Sequence, residues 1–486
     1  MPILTHANSV GQFQHFQDIG NVQNSGSLSY NESLQTYRMS GSGENMWLDE
    51  DQFAYAWREV AGDFIVRAQF TFTGKGQDPH RKIGWHVREA LTTDAKHINA
   101  TTHGDGLTAL QFRAKAGAST EEYHLAITQP DVLQLERRGN QFIMSAARMG
   151  EPFQVTSVSH IEFDQTVYVG LALCAHKSDA VETANISNVR FIKPAAADFV
   201  PYRDYIGSNL EILDLTTLQR RVVYQAEGSI QAPNWTPDNQ SLIFNADGKL
   251  FKFNLNDHSI RAINTGFATN NNNDHVLSFD GKYIGISHHA QEEDGRSTIY
   301  TLPITGSDEP RQITKPGAGH SYLHGFSPDG STLIFTGHRK GQYDIYAVDI
   351  ANGEESQLTN TKTLDDGSEY GPDGEFIYFN SNRTGTMQLW RMRPDGSGQQ
   401  QLTFDRYNDW FPHVSPDGKS LVFLSYMADI DSGDHPFYKP VYLRRMPAEG
   451  GEPTVIAYVY GGQGTINVPS WSPDGRYIAF VSNTRH

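Results

Sequence analysis

Ser327-Pro328-Asp329-Gly330-Ser331-Thr332-Leu333-Ile334-Phe335 decides how this chain is read, because it recurs. Ser415-Pro416-Asp417-Gly418 leads into Lys419-Ser420-Leu421-Val422-Phe423, and Ser472-Pro473-Asp474-Gly475 into Arg476-Tyr477-Ile478-Ala479-Phe480. Looser copies stand at Thr236-Pro237-Asp238-Asn239, Ser278-Phe279-Asp280-Gly281 and Gly371-Pro372-Asp373-Gly374. Successive copies of the aspartate lie 42, 49, 44, 44 and 57 residues apart. A turn signal with a period in the forties, each time followed by a short apolar run, predicts the blades of a β-propeller.

The phrase has the chemistry of a tight hairpin. Proline presets φ at the first corner, aspartate bonds neighbouring backbone amides, and glycine accepts positive φ. The apolar run after it is β-branched and aromatic, as a strand covered on both sides should be. Third strands follow at Asp344–Val348, Gln388–Met392 and Val441–Arg445, and short fourth strands at Glu355–Thr359 and Gln400–Thr403. Four strands make one blade.

At 486 residues the chain exceeds one ordinary core, so two domains are expected. A net charge of −17 argues against nucleic acid as a partner, since phosphate binding needs a basic surface. No apolar run approaches the ~20 residues of a membrane span. The single cysteine, Cys174, excludes an intrachain disulfide and sits in an apolar run, where an inert buried thiol is expected. Met1–Val10 lacks the basic and apolar segments of a signal peptide, which fits either a cytoplasmic chain or one whose leader has been removed.

Residues 1–194 carry no Ser-Pro-Asp-Gly phrase and read as strands broken by polar turns. Phe64–Phe72, Ile83–Arg88, Thr108–Arg113, Val132–Arg137 and Gln141–Ser145 predict a β-sandwich. Trp85 is expected in the core and His86 on the exposed alternate face, with a concave sugar-binding face containing Trp85, His86, Arg88 and His103 as the competing reading. Lys193-Pro194-Ala195-Ala196-Ala197 reads as the linker to a second domain, 195–486.

Two resemblances follow. Gly41-Ser42-Gly43-Glu44-Asn45-Met46-Trp47, Gly62-Asp63-Phe64, His103-Gly104-Asp105-Gly106 and Asn185-Ile186-Ser187-Asn188-Val189-Arg190-Phe191 resemble landmarks of a bacterial concanavalin-like jelly-roll module. That resemblance implies an extracytoplasmic protein, periplasmic or secreted, associated with carbohydrate. The six phrases resemble the repeats of TolB-like six-bladed propellers with WD-like repeats. After the last phrase only one more strand fits, while Leu210–Leu215 and Arg221–Tyr224 supply two spare strands before the first. Together they would close the ring and remove its exposed edges. Propellers of this type sometimes gate a serine peptidase, but no Gly-x-Ser-x-Gly nucleophile turn occurs here.

Propeller topology sorts residues between the two faces of the ring. Of ten histidines after residue 200, eight fall before a phrase or after a second strand, on one face. His275, His324 and His413 stand at the starts of innermost strands and are expected to converge on the channel. With Glu369, Arg383 and Trp410 they form the candidate ligand site, and the three imidazoles form a candidate site for one divalent metal ion. The competing reading is structural: channel-lining strand starts are polar because they meet water, and Arg383 in Asn382-Arg383-Thr384-Gly385 matches an ordinary strand-connecting turn of TolB-like repeats. The function read from these residues is binding of a glycan or protein ligand at a His-rich channel mouth. The alternative is a metal-assisted oligosaccharide lyase on the same face, by analogy with oligogalacturonate lyases, whose motifs this chain does not match residue by residue. Oligomeric state is left open.

Overall fold

The structure is a computed structural model in which residues 10–485 are described, so the leader reading of Met1–Val10 falls almost wholly outside it. The chain forms two compact units divided between Pro194 and Ala195. Both are built of strands. Among the described residues the one helical element is a short 3-10 turn, Gln291–Glu293, and no helix is long and apolar enough to cross a membrane.

The first unit is a sandwich of two seven-stranded antiparallel sheets. One sheet runs His15–Ile19, Phe53–Ala61, Thr166–Cys174, Lys82–Arg88, His97–His103, Thr108–Arg113, Glu121–His124 in spatial order. Period-2 alternation sends Ile83, Trp85 and Val87 into the core, where they meet Leu133, Met144 and Ile186 of the other sheet. Trp85 is fully buried, and its indole donates to the Leu133 carbonyl at 3.1 Å. His86, expected to be exposed, is buried as well. The segment carrying Leu48 and Asp51 folds back over the outer face of this sheet. Arg113 reaches the Leu48 carbonyl and the Asp51 carboxylate, and the Asp51 amide donates to the Thr93 carbonyl.

The second unit is a six-bladed propeller. Five blades are four-stranded antiparallel sheets in the order innermost to outermost, beginning with Gln231–Trp235, Asn271–Leu277, Ser321–Phe326, Asp365–Tyr370 and Asn408–Val414. The sixth is closed by both ends of the chain. Tyr477–Asn483 pairs with Ser208–Asp214, with Leu210 opposite Val481 and Leu213 opposite Ile478, and Arg220–Ala226 lies outside it. The two spare strands expected before the first phrase take this place.

Each phrase is an aspartate-centred turn. Ser327 Oγ and the Ser331 amide both donate to Asp329 Oδ1, at 2.6 and 3.0 Å, and the Thr332 amide donates back to Ser327 Oγ. The hydroxyl–aspartate bond recurs at Thr236–Asp238, Ser278–Asp280, Ser415–Asp417 and Ser472–Asp474. These bonds favour the carboxylate, so Asp329, Asp417 and Asp474 are held below the usual carboxyl range. Adjacent phrases also touch. The Pro237 ring packs on Gly281, Pro328 on Gly374, Pro372 on Gly418 and Pro416 on Gly475, and Asn239 joins the first phrase to the last by donating to Asp474, while Gly330 of the third phrase has no such neighbour.

Candidate functional site

The innermost strands bring their side chains to a cavity of about 700 Å3 in the propeller unit. Asp274 of the second blade, His324 of the third and Asp366 of the fourth meet there. His324 Nε2 lies 3.1 Å from Asp366 Oδ1, the same oxygen that accepts from Thr336 Oγ1 at 2.5 Å and from the Gly367 amide at 2.8 Å. Burial alone would raise the Asp366 carboxyl. The hydrogen bond and charge of His324, with help from His435 and Thr336, outweigh burial and hold it at about 2. Burial also opposes the charged His324 ring, yet Asp366, Asp274 and Glu369 together raise it above the ordinary histidine value. Asp274 lacks an equivalent set of donors. Burial dominates there and pushes its carboxyl up to about 6, against the pull of His324. One imidazole thus sits between an ionised carboxylate and a carboxyl that titrates near neutrality.

The walls are amide-rich and braced. Asn245 donates to the Asn271 and Asn272 carbonyls, Asn271 to those of Gly248 and Ala268, and Asn273 to the Gln231 side chain. Those bonds fix the cavity wall before any ligand arrives. The rim is aromatic. Tyr202 and Tyr205 pack on Phe437 at 5.2 and 5.8 Å between ring centroids and keep 66% and 45% of their surface exposed. Tyrosines held this way offer a flat apolar ring and a free hydroxyl to a ligand. His435 also reaches the mouth, edge-on to Trp410 at 4.6 Å.

Of the residues expected here, His324 lines the cavity. His275 is buried one position beyond Asp274, and strand alternation turns it away from the channel that Asp274 faces. Glu369 and His413 bond each other, with His413 Nδ1 2.6 Å from Glu369 Oε2, and the other Glu369 oxygen accepts from the Val414 amide at 2.9 Å. The second ring nitrogen of His413 contacts the Ile466 carbonyl. Arg383 bonds Asp365 and Ser381 at 2.9 and 2.8 Å and lies over the Trp390 ring, bracing the turn between two strands. Trp410 is fully buried behind His435. His275, His324 and His413 are therefore not gathered into one ligand set. His324 is held by Asp366 and His413 by Glu369, each from a neighbouring blade.

Sequence reasoning missed Asp274, Asp366 and the rim tyrosines. The available signals were the run Asn270-Asn271-Asn272-Asn273-Asp274 and the pair Asp365-Asp366, both polar where a strand should be buried.

Among the described residues, two other groups have the composition and spacing to hold a metal ion, and both lie in the sandwich. Asp51, His86 and His97 are wholly buried with their ligand atoms within 4.8 Å of one another. His80, His103 and Asp105 form the second, partly exposed group.

The family model described as the TolB beta propeller domain matches residues 311–432. An uncharacterised protein of Agrobacterium fabrum is 46% identical over 275 residues, covering 56% of this chain and 92% of that protein. A structure solved as a provisional TolB from Agrobacterium tumefaciens is 44% identical, with a TM-score of 0.55, and covers 58% of this chain and all of its own. TolB from Acinetobacter baumannii is 18% identical with a TM-score of 0.42, covering 53% of this chain and 64% of its own.

Proposed function

Because the chain belongs to the TolB-like β-propeller family, we propose that it is an extracytoplasmic binding protein that takes a polar glycan or protein segment into the mouth of its propeller channel. One observation carries this reading: exposed Tyr202 and Tyr205 stand at the rim of a braced cavity whose floor holds Asp274, His324 and Asp366. An aromatic rim above a few convergent polar groups is the usual make-up of a site that orients a ligand by hydrogen bonds and holds it by stacking. Asp274 can donate a hydrogen bond below about pH 6 and accept one above it. Resemblance to TolB favours the periplasm as its compartment.

A metal-assisted lyase at this mouth draws no support. Binding is the better supported reading because His275 and His413 are not among the residues lining the cavity, and both ring nitrogens of His413 are engaged, by Glu369 and by the Ile466 carbonyl.

Panels of oligosaccharides, including uronic-acid oligomers, and of extended peptides test the proposal by calorimetric titration. Tyr202→Ala and His324→Gln should each weaken a detected ligand by ~10-fold or more, as expected of a stacking residue and a central hydrogen-bonding residue. Undiminished binding in both variants, or silence across both panels, would overturn it.

A further inference from the structure

Three neighbouring strands of the first sandwich sheet reach one rim together. Lys82, at the start of Lys82–Arg88, pairs with Cys174 on one side and His103 on the other. The chain next to these three positions supplies His80, His176, His103 and Asp105. The ligand atoms of His80, His103 and Asp105 all lie within 4.8 Å of one another, and His80 Nδ1 is 3.6 Å from Asp105 Oδ2. The His176 ring stands 5.4 Å from that of His80. Bonds of ~2.0–2.1 Å to a tetrahedral ion place ligand atoms roughly 3.3–3.4 Å apart; the His80–Asp105 pair at 3.6 Å already approaches that, and the other pairs, within 4.8 Å, would have to draw in.

The backbone holds this arrangement in place. The Gly104 amide donates to the Arg81 carbonyl and the Asp105 amide to the Pro79 carbonyl, each at 2.8 Å, which staples the loop carrying His80 onto the turn carrying Asp105. A Cβ at Gly104 would lie 2.7 Å from Arg81 Cγ, so the approach depends on glycine. Asp105 Oδ1 accepts from the Leu107 amide, leaving Oδ2 turned toward His80. His103 is only 6% exposed, and neither of its ring nitrogens meets a hydrogen-bond partner. Nδ1 of His176 is in the same position. A buried imidazole with neither nitrogen partnered has a lone pair to offer an ion. The Lys82 amine itself is turned to Asn45 Oδ1.

The alternative group at Asp51, His86 and His97 is less suited to an ion. Arg88 and Arg113 already neutralise Asp51, and all of these side chains are sealed from solvent. His80 and Asp105 keep 53% and 37% of their side-chain surface exposed, which gives an ion a path in.

We propose that His80, His103 and Asp105, with His176 or water in the fourth position, bind one borderline divalent ion of the zinc type at this rim. Imidazole and carboxylate donors without thiolate suit zinc, cobalt or nickel better than calcium or magnesium. The ion would clip the loop before Lys82 to the His103–Gly106 turn, and where His176 does not ligate, its fourth position would be open to water or a ligand group.

The test uses the full chain without a histidine tag, stripped with a chelator and titrated separately with Zn2+ and Co2+. The expected result is one equivalent bound, visible Co2+ absorption of a low-coordinate site, and a rise in melting temperature with Zn2+. His80→Ala and Asp105→Asn, both exposed enough to spare the fold, should weaken binding by ~10-fold or more, because each removes a direct ligand. His124→Ala, an imidazole paired to Glu122 on the same sheet, should bind like the parent chain. Failure of the parent chain to bind either ion would overturn the proposal. So would affinity equal to the parent chain in both His80→Ala and Asp105→Asn.

Discussion

His413 Nδ1 lies 2.6 Å from Glu369 Oε2, so an imidazole of the fifth blade is tied to a carboxylate of the fourth. The other Glu369 oxygen accepts from the Val414 amide, and the other His413 nitrogen meets the Ile466 carbonyl near the start of the sixth blade. Three successive blades are therefore linked by one buried pair. Removing one partner strands the other, which is the costly way to break such a pair. His413→Ala should cost about 3–5 kcal/mol in urea unfolding. The double variant His413→Ala/Glu369→Gln should cost clearly less than the sum of the two single changes. Additive losses would show that the two groups act independently.

The His324–Asp366 pair makes stability depend on pH at both ends. Asp366 is depressed to about 2 from 3.8, so its contribution is present above about pH 4 and lost as pH falls toward 2. His324 is raised from 6.5, so its contribution is full below that value and lost as pH rises through its folded value. Asp366→Asn should therefore destabilise most between about pH 4 and 6.5, by on the order of 2 kcal/mol, with a smaller loss on either side. Melting curves across pH 2.5–9 check this, and a difference that does not vary with pH would refute it.

Asp274 predicts the opposite sign. Its carboxyl is raised to about 6, so the unfolded chain ionises it first. The folded state gains a penalty as pH climbs from about 4 to about 6 and keeps it above that. Asn at this position removes the charge. Asp274→Asn should stabilise the chain by on the order of 3 kcal/mol at pH 8 and leave it unchanged at pH 3. Equal stability of the two proteins at pH 8 would mean that the carboxylate is better solvated than its burial implies.

The propeller was legible because its signal is local. Ser327, Asp329 and Gly330 satisfy one another within a few residues, and the turn they make sets the blade period. That the strand beginning near Leu210 joins the last strand to close the ring followed from counting strands; the pairing of Leu210 with Val481 is seen only in the structure. The channel lining was less legible. Each of the five phrase-preceding innermost strands carries a register shift, at Gln231/Asn234, Asn271/His275, Leu323/Gly325, Asp366/Glu369 and Trp410/His413. A bulge re-aims the side chains beyond it, so the residue facing the channel changes without any change in composition. Phe411, at φ +56°, points into the mouth where His413 was expected. The same limit explains His86, whose burial depends on a segment more than thirty residues away in sequence folding back over it.

The repeated phrase itself supplies a controlled comparison. Gly281 and Gly330 occupy the same position of the same turn, at φ +67° and +72°. Alanine at either residue must adopt a left-handed backbone, which costs roughly 1–2 kcal/mol. They differ in what a methyl group would meet. At Gly330 nothing lies within 4 Å, whereas at Gly281 the new carbon would sit 2.3 Å from Cγ of Pro237 in the preceding blade. A pyrrolidine ring fixed in its own turn cannot swing aside, so the first two blades must separate. Overpacking of this kind typically adds about 1–3 kcal/mol. Gly281→Ala should accordingly lower the urea midpoint well beyond Gly330→Ala. Equal midpoints would mean that the phrase-to-phrase contact contributes nothing to holding the blades in a ring, and that the turn's own backbone requirement is the whole reason for glycine.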